Sequence, residues 1–163
     1  NIKIINTGMY SQTGARIKKI KKFLGKDQNF FLTYGDGLSN VNIQKLLNYH
    51  EKHGKIATLT AVRPIPRFGH LTLKKDNVIR FKEKDRMSVG WINGGFFVLN
   101  KKIFKYISKK NNEIFEKKPL EKLSRDSQLK AYKFNGFWHC VDTLRDKNYL
   151  ISLLKLNKAP WIN

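Results

Sequence analysis

Asp36 lies in the stretch FLTYGDG, where an apolar, β-favouring run stops at a carboxylate held between Gly35 and Gly37. Flanking glycines free the backbone to bend and let a ligand come close. A carboxylate at the end of a strand suits a hard cation such as Mg2+, which typically takes one or two protein carboxylates and fills its other positions with phosphate oxygens and water. The alternative is a tight Asp-Gly hairpin turn, weakened here because NIQKLLNYH, just beyond, has a helical pattern rather than that of a returning strand. Asp142, in FWHCVDTLRDK, is the natural second carboxylate: it too follows a short apolar run and precedes a helix. A helix N-cap is its other use, and a capping Asp can also face a ligand.

Two further stretches carry groups suited to a phosphorylated substrate. In SQTGARIKK, Ser11, Gly14 and Arg16 surround a helix start and offer backbone N–H groups and a forked guanidinium to a phosphate or a base edge. In INGGFFVLN, Asn93 precedes two glycines that allow close backbone approach, and its amide both donates to and accepts from sugar hydroxyls. A strand bulge is the other reading of that glycine pair. Lys84, ending FKEK, is placed to reach a sugar phosphate. His50 and His53 are three apart rather than the four of a helical zinc pair, and read as helix C-terminal residues favourable to the dipole. His139 and Cys140 are adjacent without a third group, so a Cys-His nucleophile is not expected and Cys140 reads as a small buried hydrophobe.

Positioning these residues requires a particular order of elements. KIIN reads as a strand, SQTGARIKKIKKFL as a loop and helix capped by Ser11 or Thr13, and FFLTY as a short buried strand. NIQKLLNYHEKHG is an amphipathic helix ended by Gly54, and IATLTAV a β-branched strand. After Pro64 and Pro66, GHLTL and NVIRFKE flank KKD as a hairpin. WINGGFFVLN and QLKAYKF read as strands, KKIFKYI and PLEKLS as short helices, and LRDKNYLISLLKLN as a final helix before an aromatic tail at Trp161. Strands alternating with helices specify an α/β layered sheet whose ligands gather beyond the carboxyl ends of its strands. No linker divides it, so residues 1–163 are expected to form a single domain.

Composition bounds the partners. Hydrophobic residues at 40% argue against disorder, and no apolar run approaches the roughly 20 residues of a membrane span. With one cysteine and no internal disulfide, a cytoplasmic protein without membrane partners is expected. The formal charge of +21 would attract polyanions. Yet the lysines run along the whole chain with many Asn and Ile, which fits compositional bias, and those of IKKIKKFLGK surround a helical apolar stripe as a solvated face would. Nucleic acid is therefore not the expected partner.

SQTGARIKKI, FLTYGDG, HGKIATLTAV, RFG, FKEK, INGGFFVLN and GFWHCVDTLRDKNYL, in this order and spacing, resemble the sugar nucleotidyltransferase family, and within it the members acting on CTP and glucose 1-phosphate. The resemblance runs nearly end to end. It implies a Rossmann-like mixed α/β sheet, incomplete on its N-terminal side, and transfer of a cytidylyl group to glucose 1-phosphate, giving CDP-glucose and pyrophosphate for surface-polysaccharide synthesis. It implies Mg2+ held by Asp36 and Asp142, nucleotide contacts at Ser11, Arg16 and Gly35, sugar-phosphate contacts at Lys84 and Asn93, and a homo-oligomer in which the Trp161 tail is available for a subunit contact. Two places depart from the family pattern: Glu83-Lys84-Asp85 stands where Glu-Lys-Pro is usual, and His139-Cys140-Val141 precede Asp142. The family's glycine-rich phosphate loop is absent from this chain, so the chain alone is expected to be inactive. A thymidylyl or guanylyl transferase and a non-catalytic sugar-nucleotide-binding module are the rival readings.

Overall fold

The computed structural model describes residues 2–83 and 90–162. Its centre is a four-stranded mixed sheet in the order β1-β6-β3-β7, formed by β1 (Asn29–Thr33), β3 (Ala57–Val62), β6 (Ile92–Asn100) and β7 (Leu129–Lys133). β6 is antiparallel to both β1 and β3, and β7 is parallel to β3. Hence β1, β3 and β7 run the same way and end on one edge, where β6 begins. That edge receives Tyr34–Asp36 from β1 and Asn93 from β6.

The apolar runs found in the sequence supply the core. Phe97, Leu99, Ile103 and Phe115 are completely enclosed, and Ile17 of α1 (Thr13–Ile20) packs among them. α2 (Ile43–His53) is bounded by local chemistry: the Asn42 side chain accepts from the Lys45 N–H at 2.8 Å, and Gly54 closes the helix in the left-handed region at φ 63°. Leu46 buries its inner face. α3 (Lys118–Arg125) carries Pro119 in its first turn, where a missing N–H costs nothing. α4 (Leu144–Lys155) begins with a capping box between Thr143 and Asp146.

Two smaller pairings flank the main sheet. β4 (His70–Lys74) and β5 (Asn77–Lys82) form the expected hairpin, with Lys75 at φ 52° in its turn. It leaves Leu71, Leu73, Val78, Ile79 and Phe81 exposed. β2 (Gly37–Ser39) pairs antiparallel with β8 (Trp138–Cys140). The hydroxyl of Ser39 donates to the Phe137 carbonyl at 2.8 Å, joining positions 98 residues apart.

Several expectations are corrected. KIIN is not a strand: no described strand runs beside it, and Ile4 is 95% exposed. A β-favouring run without a neighbour has nothing to exchange its backbone hydrogen bonds with. Neither Ser11 nor Thr13 caps α1; Gln12 holds that position without a side-chain bond. The lysines of α1 are not merely solvated, because Lys18 donates to the carbonyls of Phe104 and Ile107. Trp161 folds back onto Phe137, ring centres 5.2 Å apart, instead of standing free.

Candidate functional site

The β2–β8 pairing decides the site. Its register sets Gly37 against Cys140, and the next rung outward is a bond of 2.8 Å from the Val141 N–H to the Asp36 carbonyl. Asp36 and Asp142 thus lie on neighbouring segments at the carboxyl edge of the main sheet, both exposed. Trp138 anchors this small ribbon by donating its indole N–H to the Gly94 carbonyl at 2.7 Å. Among the described residues the Asp36 carboxylate accepts no hydrogen bond, and no cluster of three or more His, Cys, Asp or Glu side chains is arranged to hold a metal ion.

Asp142 does not cap α4; Thr143 does. The carboxylate of Asp142 instead accepts from Arg67 Nη2 at 3.3 Å and from the Cys140 thiol at 3.2 Å. The same Arg67 nitrogen reaches Asp146 at 3.4 Å. Asp146 accepts from the Thr143 hydroxyl and from the N–H groups of Thr143 and Asp142, and the Thr143 hydroxyl above all holds its carboxyl below the usual range. Burial, then the Asp142 carboxylate, push the Cys140 thiol up to about 11, so at neutral pH it is a donor and no nucleophile. His139 turns Nδ1 to the Cys140 carbonyl and Nε2 towards Asp146, away from a catalytic pairing with the thiol.

Asn93 sits half-buried at the start of β6 in a fixed orientation. Its Oδ1 accepts from the Gly95 N–H at 2.9 Å, and its Nδ2 donates to the Tyr34 hydroxyl at 3.3 Å. Tyr34 donates in turn to Glu116 Oε1, while Thr13 donates to Glu116 Oε2 at 2.6 Å. Burial and the Glu116 carboxylate raise the Tyr34 hydroxyl well above its ordinary range, keeping it a neutral donor. The glycine pair after Asn93 is a bulge: Leu59 faces Phe97 and Ala61 faces Asn93, so β6 advances further than β3. Gly95 is required by its φ of 79° and because a Cβ would come within 2.8 Å of the Tyr34 ring. These glycines serve packing within the chain. Gly35 differs, since a Cβ there meets nothing within 4 Å and its φ is not in the left-handed region.

At the head of α1, Ser11 is buried and donates to the Thr7 carbonyl at 2.6 Å while accepting from Lys19 at 2.7 Å. Arg16 is exposed and uses two of its five N–H groups on Thr7 Oγ1 and the Met9 carbonyl. The chain Thr13–Glu116–Tyr34–Asn93 joins this segment to the start of β6. Lys84 lies outside the described residues. Sequence reasoning missed Tyr34, Glu116 and Arg67. Tyr34 adjoins the GDG motif and Arg67 lies in the quoted RFG, but nothing local marks Glu116.

His50 and His53 also differ from expectation. One hydroxyl, Thr58 Oγ1, lies 2.8 Å from His50 Nδ1 and 2.7 Å from His53 Nε2. His53 Nδ1 accepts from the Lys55 N–H at 2.9 Å, so its Nε2 carries the proton and donates to Thr58, which donates onward to His50. Burial, with His53 beside it, lowers His50 to about 4, and burial with Lys130 nearby lowers His53. The pair is neutral rather than serving as cations for the α2 dipole.

The matching family model, described as nucleotidyl transferase, covers residues 1–148, and the chain belongs to that family. Among curated relatives it is 41% identical over 161 residues to glucose-1-phosphate cytidylyltransferase of Salmonella typhimurium, covering 99% of this chain and 62% of that protein. It is also 41% identical over 157 residues to the probable glucose-1-phosphate cytidylyltransferase of Bacillus subtilis, covering 96% and 59%. The chain therefore spans about three fifths of the length of these relatives. Among solved structures, a putative glucose-1-phosphate thymidylyltransferase from Bacillus anthracis superposes with a TM-score of 0.65 at 16% identity, covering 96% of this chain and 64% of that one. The inositol-1-phosphate CTP transferase of T. maritima superposes at 0.63 and 15% identity, covering 94% and 64%. These likenesses establish the sugar nucleotidyltransferase type of mixed α/β fold.

Proposed function

We propose that this chain works within an enzyme that transfers a cytidylyl group from CTP to glucose 1-phosphate. A phosphate oxygen of the sugar attacks the α-phosphorus of CTP, the bond from that phosphorus to the bridging oxygen breaks, and pyrophosphate leaves with the electron pair, giving CDP-glucose. The observation that carries the reading is the β2–β8 ribbon, which sets Asp36 beside the segment bearing Asp142 at the ligand-binding edge of the sheet. The identity to proteins named as glucose-1-phosphate cytidylyltransferases supports the choice of CTP and of that sugar phosphate.

Two exposed carboxylates, not grouped with a third acidic, histidine or cysteine side chain among the described residues, fit Mg2+, which leaves most positions to phosphate oxygens and water. When bound, the ion neutralises charge on the two reacting anions. Asp36 and Asp142 would hold it, and Arg67, paired with Asp142, would offset part of that carboxylate's charge. Gly35 offers bare backbone to the nucleotide: no contact among the described residues demands glycine there, whereas a close ligand would. Arg16, with N–H groups to spare, contacts the nucleotide, and Ser11 acts beside it by holding Thr7 and Lys19 in place. Asn93 contacts the sugar with its remaining donor and acceptor, and Lys84 its phosphate. Use of CTP suits a cytoplasmic enzyme. The exposed apolar side chains of β4 and β5 support assembly with further copies of the same protein.

The test is to supply the full-length protein with Mg2+, glucose 1-phosphate and each nucleoside triphosphate in turn, and to follow pyrophosphate release and the nucleotide-sugar product. CDP-glucose from CTP is expected. A product made preferentially from dTTP or GTP, or binding without turnover, overturns the assignment.

A further inference from the structure

The hydroxyl of Tyr34 occupies a junction that the transfer reaction does not itself require. It donates to Glu116 on one side and accepts from the Asn93 amide on the other, at 3.3 Å. Asn93 Oδ1 is held by the Gly95 N–H, and Tyr34 is in turn fixed to Gly95, through its own N–H to the Gly95 carbonyl at 3.1 Å and by its ring lying over the glycine. The amide of Asn93 therefore has one orientation, with one Nδ2 hydrogen and one Oδ1 lone pair left for a ligand. Glu116 is held equally by Thr13, in the segment that bears Ser11 and Arg16.

We propose that Tyr34 is a positioning residue that sets the Asn93 amide for sugar-phosphate recognition, with Glu116 as the brace tying that setting to the start of α1. This rests on the reading of Asn93 as a sugar-phosphate contact. A tyrosine that only filled space would need no hydroxyl, and a phenylalanine would cover Gly95 as well. The hydroxyl matters because, half-buried between a carboxylate and an amide, it is the group that both can share.

The experiment uses the full-length protein and the variants Tyr34→Phe, Asn93→Ala and their combination. Removing one such hydrogen bond raises KM for glucose 1-phosphate by roughly 5- to 10-fold. KM for CTP changes little, and the double variant is no worse for glucose 1-phosphate than Asn93→Ala alone. Independently of turnover, the side-chain amide resonances of Asn93 shift in Tyr34→Phe, while its urea unfolding curve confirms that it folds. Equal rises in both KM values, additive effects in the double variant, or an unmoved Asn93 amide signal each overturn the proposal. Failure of the functional reading is distinguishable: wild-type and Asn93→Ala proteins would then show no dependence on glucose 1-phosphate, while the amide signal still decides whether Tyr34 orients Asn93.

Discussion

The aspartates at the sheet edge and the histidines of α2 are both pairs of titratable groups brought close by the fold, yet the protein treats them in opposite ways. Asp36 and Asp142 stay exposed to water at the end of their strands. His50 is 2% exposed and, with His53, is wired neutral to a single threonine hydroxyl. Burial separates the two outcomes: a charge kept at the surface is available to a ligand, whereas an enclosed one is given up and its nitrogens become struts.

Four measurements on the full-length protein would break or sharpen this contrast. The largest effect belongs to Asp36→Asn, which should lower cytidylyl transfer by about 100-fold or more while leaving the melting temperature nearly unchanged, because an exposed carboxylate contributes little to folding. A large loss of stability would mean that the aspartate is as structural as the histidines. Thr58→Val comes next, leaving the buried His50 nitrogen and the half-buried His53 nitrogen without their shared hydroxyl. It should cost about 2–3 kcal/mol in urea unfolding. A neutral result would show that the hydroxyl is dispensable.

Acid should find the same region. His50 titrates near 4 when folded against about 6.5 when unfolded, so the unfolded chain takes up the proton first. Stability holds above about pH 6.5 and falls on acidification towards 4, by no more than about 1.4 kcal/mol per pH unit from this residue. Unfolding curves at pH 7, 5.5 and 4.5 check this. The smallest effect is that of Arg67→Ala. Its guanidinium and the Asp142 side chain are 54% and 55% exposed, so water screens the pair and the stability change should stay within about 1 kcal/mol by thermal melting.

The same contrast explains what the sequence disclosed. The ends of α2 could be read because Asn42 and Gly54 act within four residues of themselves. The hairpin of β4 and β5 and the apolar strands were readable for similar reasons. KIIN was not, since strand formation depends on a neighbour found elsewhere. Glycine-rich INGG suggested backbone open to a ligand, but Gly95 is filled by the Tyr34 ring from 61 positions away, whereas beside the aspartate motif Gly35 keeps open space. Asp36 and Asp142 could be singled out by their glycines, apolar flanks and resemblance to a family. Their being neighbours could not, because β2 and β8 have three residues each and no periodicity to announce them. The helical spacing of HEKH was plain in the sequence. Its neutrality was not, because Thr58 lies on the next strand.

The Ser39–Phe137 rung spans 98 positions, which has a bearing on biogenesis. A ribosome adding about 5–20 residues per second delivers β2 on the order of ten seconds before β8 exists to meet it. Throughout that interval the nascent chain presents an aspartate loop with no counterpart, and the ribbon closes only once synthesis has passed the second acidic strand end.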